Sequence, residues 1–151
     1  MTQWSTEQWQ QLVSHVAYNR ELGIEFAELV PTGVVLRLRY RSDLAAGPDG
    51  ETLHGGAISA MVDAALGFSV HWAMPDDRSL ATLNIRIDHL VEPSPRRDVY
   101  CRATCIQAEQ HVAVVRGEIY HERTEEPFAL ASGSIVFIAA DSWMRGVEGA
   151  T

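Results

Sequence analysis

The sequence contains no lysine; all twelve of its basic residues are arginine. That excludes Schiff-base catalysis and the phosphate-loop lysine of nucleotide-binding enzymes. Basic charge is scarce altogether: 12 arginines stand against 20 acidic residues, for a net charge of −8. So acidic a protein is ill suited to a nucleic-acid backbone or to an anionic membrane surface. Cysteine is nearly absent. Cys101 and Cys105 sit four apart in what reads as one strand, roughly 13 Å at about 3.3 Å per residue, too far to bond within it. They are expected to be two reduced thiols, and no CxxC spacing suggests metal or redox work. No apolar run is long enough to span a membrane; the most apolar stretch, 54–74, holds Asp63 and His71. The first ten residues, MTQWSTEQWQ, lack a basic region followed by an apolar one, so no export signal and a cytoplasmic location are expected. The chain also has no G-x-S-x-G elbow, no HExxH, no Cys/His set with zinc spacing and no glycine-rich nucleotide loop. Asp88 and His89 are adjacent on a strand and face opposite ways, so they form no dyad. Neither a metal nor a redox cofactor is expected.

What is present suits a single domain. The 151 residues are 46% apolar and 21% charged, enough to bury a core. Residues 1–20 read as an N-terminal helix. Ser5 with Gln8 fits a capping box, Trp9, Leu12, Val13 and Val16 share a face, and Gly23 is a stop. Strands are expected at Ile24–Val30 and Val34–Tyr40, joined at Pro31-Thr32-Gly33. In the second, Leu36, Leu38 and Tyr40 alternate with Arg37, Arg39 and Arg41, which predicts a buried face and an arginine-bearing, solvent-facing strand edge. Residues 41–53 read as a loop broken by Gly47-Pro48-Asp49-Gly50. A helix apolar nearly all round, and so buried, is expected from about Gly55 to Met74, ended by Pro75-Asp76-Asp77. Four strands follow: Leu80–Leu90, with Leu83, Ile85 and Ile87 on one face, then Val99–Ala108, Val112–His121 and Phe128–Ala139. Residues 140–151 read as a loose tail. Helix, two strands, long helix and four strands make an α+β arrangement: a long central helix wrapped by a five- or six-stranded antiparallel sheet, the hot-dog fold.

Within this frame the segment His54–Asp63, HGGAISAMVD, carries the chemistry. Two glycines open it, where backbone N–H groups can meet a ligand closely. Asp63 is the only acidic residue between Gly55 and Met74. A carboxylate set in so apolar a helix is costly without a task or a partner. Phe68, Trp72 and Met61 are the side chains at hand to line a pocket, aryl or aliphatic.

The HGG-x6-D pattern resembles that of hot-dog acyl-CoA thioesterases, in particular the phenylacetate-pathway (PaaI-like) type. Gly23-Ile24-Glu25, Pro31-Thr32-Gly33 and Ala81-Thr82-Leu83-Asn84 are similar too, and the likeness covers roughly residues 20–140. It implies acyl-CoA thioester hydrolysis without metal or redox cofactor, coenzyme A entering only as part of the substrate. It implies Asp63, Gly55 and His54 as catalytic residues. Two positions depart from the pattern. Pro48 stands where relatives carry a loop amide, and Leu80 where some carry a serine. Those groups hold the hydrolytic water, a role for which Asp49, Thr52 and Thr82 are the substitutes here.

Helical phase adds an assembly requirement. His54 and Asp63 are nine residues apart, about 900° of turn and roughly 12–14 Å along a helix, so they face opposite ways. One chain cannot easily bring its own Gly55 N–H and Asp63 to one carbonyl. Two chains related by a twofold can, which predicts a homodimer with shared sites, and the family arrangement extends this to a dimer of dimers. In that site Gly55 N–H, helped by Gly56, polarises the thioester oxygen at a helix N-terminus. The partner's Asp63, made a stronger base by burial, attacks the carbonyl or deprotonates a water. His54 fixes the loop and orients the substrate. Gly56 and Thr82 are expected to bind substrate, and Arg96 and Arg97 to contact coenzyme A phosphates. The alternatives are a non-catalytic acyl-CoA-binding or regulatory hot-dog module, to which Pro48 points, and a hydratase or dehydratase, for which no aimed Asp-His or His-Glu pair is found.

Overall fold

The structure is a computed structural model and describes residues 4–48, 50–74 and 78–138. Asp49, the helix stop at Pro75-Asp76-Asp77 and the tail at 140–151 lie outside the described residues.

The N-terminal helix starts as its sequence dictates. Ser5 caps α1 (Thr6–His15): its Oγ accepts from the Gln8 N–H at 3.2 Å, and Gln8 Oε1 accepts from the Ser5 N–H at 2.8 Å. Trp9 and Val13 face the core, and Trp9 stacks on Phe26 with ring centroids 5.7 Å apart. Val16 departs from the expected buried face. The helix breaks there, with extended backbone, and restarts as α2 (Ala17–Leu22), which leaves Val16 45% exposed. Gly23 closes α2 at φ 72°, a left-handed conformation open to glycine at little cost, with its N–H on the carbonyls of Arg20 and Asn19.

The main sheet has six antiparallel strands: β1 (Ile24–Val30), β2 (Gly33–Leu38), β5 (Ser79–His89), β6 (Val99–Ala108), β7 (Val112–Tyr120) and β8 (Ala129–Ile138). Their order is β1-β2-β6-β7-β8-β5. The long helix α3 (Gly55–Ala73) packs mainly on β2, β6 and β7, with the core between them. This is the expected hot-dog architecture. At Gly33 a Cβ would lie 1.9 Å from the Ala103 carbonyl oxygen, so β2 pairs with β6 only because a glycine stands there.

Three local expectations are corrected by packing. The arginine-bearing strand is no edge: β2 lies between β1 and β6, and Val35, on the arginine face, is 1% exposed. Arg37 and Arg39 close onto Glu25 of β1, with Nε to carboxylate distances of 3.2 and 3.0 Å. The loop at 41–53 is not structureless. It holds a 3₁₀ turn at Ser42–Leu44 and a two-stranded ribbon of β3 (Ala45–Ala46) and β4 (Thr52–Leu53), too short to leave a periodic signal. In β5 the register shifts between Thr82 and Asn84. The bulge unpairs Leu83 and leaves it 65% exposed, while Ile85 and Ile87 still pack on the core.

The Glu25 cluster makes a stability prediction. Burial pushes the Glu25 carboxyl up, but the hydrogen bonds from Arg37 and Arg39 outweigh it and hold it below its ordinary value of 4.5. A carboxyl so lowered stabilises the fold above that ordinary value and loses its effect as pH falls through the folded value. Glu25→Gln is therefore expected to cost up to about 1 kcal/mol at neutral pH. Urea titrations at descending pH should show the gap to wild type closing below 4.5; a gap independent of pH counts against the pairing.

Candidate active site

The ribbon of β3 and β4 delivers the chain to α3. His54 N–H donates to the Leu44 carbonyl at 2.8 Å, and His54 then becomes the N-cap in an extended conformation, φ −61° and ψ 135°. Its carbonyl accepts from the N–H groups of Ala57 and Ile58. Its ring turns back, and Nδ1 accepts from the Gly56 N–H at 2.9 Å. This corrects the expectation for Gly56: its N–H is engaged within the protein and is not a second open donor. Gly55 N–H meets no acceptor among the described residues, and a Cβ at Gly55 would meet no atom within 4 Å. One open N–H at the head of a 19-residue helix is what the local geometry supplies for a developing negative charge. Substituting His54→Ala should remove the cap and cost about 1 kcal/mol. Thermal unfolding of the variant checks this, and an unchanged melting temperature counts against the cap.

Gly55 opens into a cavity of about 390 Å³ with Pro48, Thr52, His54, Ile58 and Glu92 in its walls. Among the described residues, Thr52 is thus the named water-holding substitute that shares a cavity with Gly55. Sequence reasoning missed Glu92 and His89, which also line it. Their contribution depends on the end of β5 folding back to the start of α3, which no local pattern encodes.

Asp63 sits two turns further along α3, on a different face. The apolar residues Ile58, Met61, Val62, Ala65 and Leu66 are buried, whereas Asp63 is exposed on the single chain. In the single chain α3 is thus not apolar all round; it keeps one open face, on which Asp63 stands. The Thr82 hydroxyl donates to Asp63 Oδ1 at 2.7 Å. Thr82, expected to bind substrate or water, is a positioning partner of the carboxylate. Asp63 and Thr82 open into a second cavity of about 340 Å³, which shares no lining residue with the first. Of the pocket candidates, Phe68 lines this cavity; Met61 is wholly buried and Trp72 lines neither cavity. Leu80 lines it as well.

The two arginines after Pro95 are not free cations. Arg96 pairs with Glu51 and Arg97 with Glu122, and Arg96 N–H also donates to the Glu51 carbonyl at 2.9 Å. Arg96 takes a left-handed φ of 54° to do so. The pairing ties the 93–98 loop to the strand that leads into His54. His121 holds the same loop from the other side: Nε2 accepts from the Ser94 N–H at 2.8 Å, and Nδ1 lies 2.8 Å from the Asp98 carbonyl. Both cysteines are free thiols, and burial pushes the Cys101 thiol far above its usual range. That disqualifies it as a nucleophile at neutral pH. Among the described residues no group of three His, Cys, Asp or Glu side chains is placed to hold a metal ion.

A family model, described as the thioesterase superfamily, matches residues 50–128, which span the His54 cap, Gly55, Asp63, Thr82 and strands β5, β6 and β7. The chain belongs to the thioesterase superfamily. It is a thioester hydrolase of hot-dog fold, as the HGG-x6-D resemblance implied. Solved structures agree on the architecture of this thioesterase. A protein of Pseudomonas aeruginosa is 29% identical, with a TM-score of 0.78 over 88% of this chain and 98% of its own. A thioesterase of Haemophilus influenzae is 21% identical, with a TM-score of 0.78 over 92% and 94%. A mutant form of the phenylacetic acid degradation protein PaaI of Thermus thermophilus is 22% identical, with a TM-score of 0.68 over 81% and 99%. At these identities the last two show the fold alone. No curated protein matches the chain. No helix among the described residues is long and apolar enough to cross a membrane.

Proposed function

We propose that this thioesterase hydrolyses acyl-CoA thioesters as a homodimer whose two sites are each shared between subunits. The observation that carries the reading is the separation of Gly55 and Asp63 into two cavities of one chain. An open N–H donor and a positioned carboxylate are complementary halves of an acyl-transfer site, and a second copy supplies the missing half to each. Among the described residues the outer edge of β5, beside Thr82, is unpaired, which suits pairing with the same strand of another copy. A dimer of dimers is the family's extension of this arrangement. A cytoplasmic setting, where thiols stay reduced, suits the two free cysteines.

In this reading the thioester oxygen accepts from Gly55 N–H. The partner's Asp63 takes a proton from water, whose oxygen adds to the carbonyl carbon. The tetrahedral oxyanion collapses, the carbon–sulfur bond breaks, and coenzyme A leaves as thiolate and is reprotonated. The covalent variant has the carboxylate attack first, with water hydrolysing the resulting anhydride. Thiolate leaves readily, so neither route needs a strong general acid. Thr52, Glu92 and His89 are the side chains at hand to hold the water in place of the loop amide that Pro48 replaces. No acyl-CoA need be bound by metal or redox cofactor.

Release of free thiol over a panel of acyl-CoA substrates tests the proposal. Wild type is expected to turn over, and Asp63→Asn to be at least about 10²-fold slower. Equal rates overturn the catalytic assignment. A fully active monomer at micromolar concentration overturns the shared site.

A further inference from the structure

We infer that the cavity beside Asp63 is the acyl subsite, that it takes an extended apolar acyl chain of medium length, and that Gly67 sets its size limit. This rests on the acyl-CoA thioesterase reading. The cavity lies between α3, the break that joins α1 to α2, β5 and β8, so its walls come from four parts of the chain.

Three observations define what fits. The first is direction. Asp63, Gly67 and His71 line the cavity at intervals of four residues along α3, so it runs along the helix for roughly 12 Å. The reacting carbonyl has to lie at the Asp63 end, where Thr82 holds the carboxylate, and the acyl group then extends toward His71. The second is chemistry. Phe68, Leu80, Ile135 and Val16 make the walls apolar. Asp63 is the single carboxylate in the lining and no arginine is present to receive an acyl group with a charged tail. At the far end Asn19 Nδ2 donates to the Val13 carbonyl at 3.0 Å, and the His71 ring packs on Phe68 with centroids 6.3 Å apart. The third is free space. A Cβ built at Gly67 meets no heavy atom of this chain within 4 Å, and Gly67 lines the cavity, so a side chain there starts in open space at its wall. The Val16 break also gains a role, since it turns Val16 and the 61%-exposed Tyr18 toward the same cavity.

The test compares wild type, Gly67→Leu and Tyr18→Ala over straight-chain acyl-CoA substrates from acetyl to dodecanoyl. In Gly67→Leu the ratio of octanoyl to acetyl kcat/KM is expected to fall by at least about tenfold, the usual discrimination of an apolar pocket shortened by a few methylenes. Tyr18→Ala, at an exposed position where misfolding is a small risk, is expected to move the optimum to longer chains. A uniform loss across the panel in both variants, or no change in either ratio, overturns the inference. Calorimetric binding of the non-hydrolysable octanoyl and acetyl thioether analogues of the substrate separates this inference from the reading beneath it. Chain-length-dependent weakening in Gly67→Leu without any wild-type turnover keeps the subsite and removes the proposal of acyl-CoA hydrolysis. Wild-type turnover with no chain-length effect in either variant removes the subsite and keeps the proposal.

Discussion

Gly55→Pro is expected to lower kcat for thioester hydrolysis by about 10²–10³ while the protein stays folded. The substitution deletes one atom that matters, the amide hydrogen. Gly55 is the first residue of α3, the position at which proline is favoured, because the N–H it lacks has no intrahelical partner anyway. The residue before it must be extended, and His54 already is, at φ −61° and ψ 135°. The helix, its cap and the walls of the cavity are therefore expected to survive. Gly55→Ala is the companion: it keeps the N–H and places a methyl where the protein has no atom within 4 Å. A smaller loss than in the proline variant is expected, and its size measures how closely the substrate approaches. Steady-state kinetics with a melting curve for each variant checks the pair. A proline variant with wild-type kcat shows that this N–H does not stabilise the transition state.

Asp63→Asn should reduce turnover by about 10²–10⁴, the range for loss of a positioned general base. The amide oxygen can still accept from the Thr82 hydroxyl, so the contact at 2.7 Å need not be lost. The two inactive variants together decide where the halves of the site come from. In a dimer with shared sites, a mixed dimer of Gly55→Pro and Asp63→Asn chains has one site with both defects and one with neither. Each mixed dimer keeps one of its two sites, so about half of wild-type activity is expected in the doubly tagged fraction, and about a quarter in the unfractionated random mixture, of which half the dimers are mixed. If each chain used its own Gly55 and Asp63, every site would carry a defect and nothing would return. Co-expression with two affinity tags, followed by thiol release from the doubly tagged fraction, makes the measurement.

Much of the fold was readable because its signals are local. The Ser5–Gln8 box joins residues three apart, and β6 matches its expected span, Val99–Ala108. The start of α3 was readable from its glycines and apolar run. The misses are all places where packing overrode a local pattern. Val16 continues the helical face of α1, yet the chain breaks there and the side chain ends in a cavity wall. Leu83 continues the alternation of β5, yet a bulge turns it out. Arg37 and Arg39 read as solvated, yet Glu25 of the neighbouring strand collects both.

The site divides in the same way. That His54 and Asp63 point to opposite sides of α3 followed from the sequence alone, because 3.6 residues per turn fixes their phase whatever surrounds the helix. Tertiary structure decided which groups remain available in each half. The Gly56 N–H is taken by His54, Thr82 reaches Asp63 from nineteen residues away, and both arginines after Pro95 are held by glutamates of other segments. Hydrogen bonds within a helix repeat with sequence spacing and can be counted along it; bonds and cavity walls made between elements depend on how those elements pack, which no spacing records.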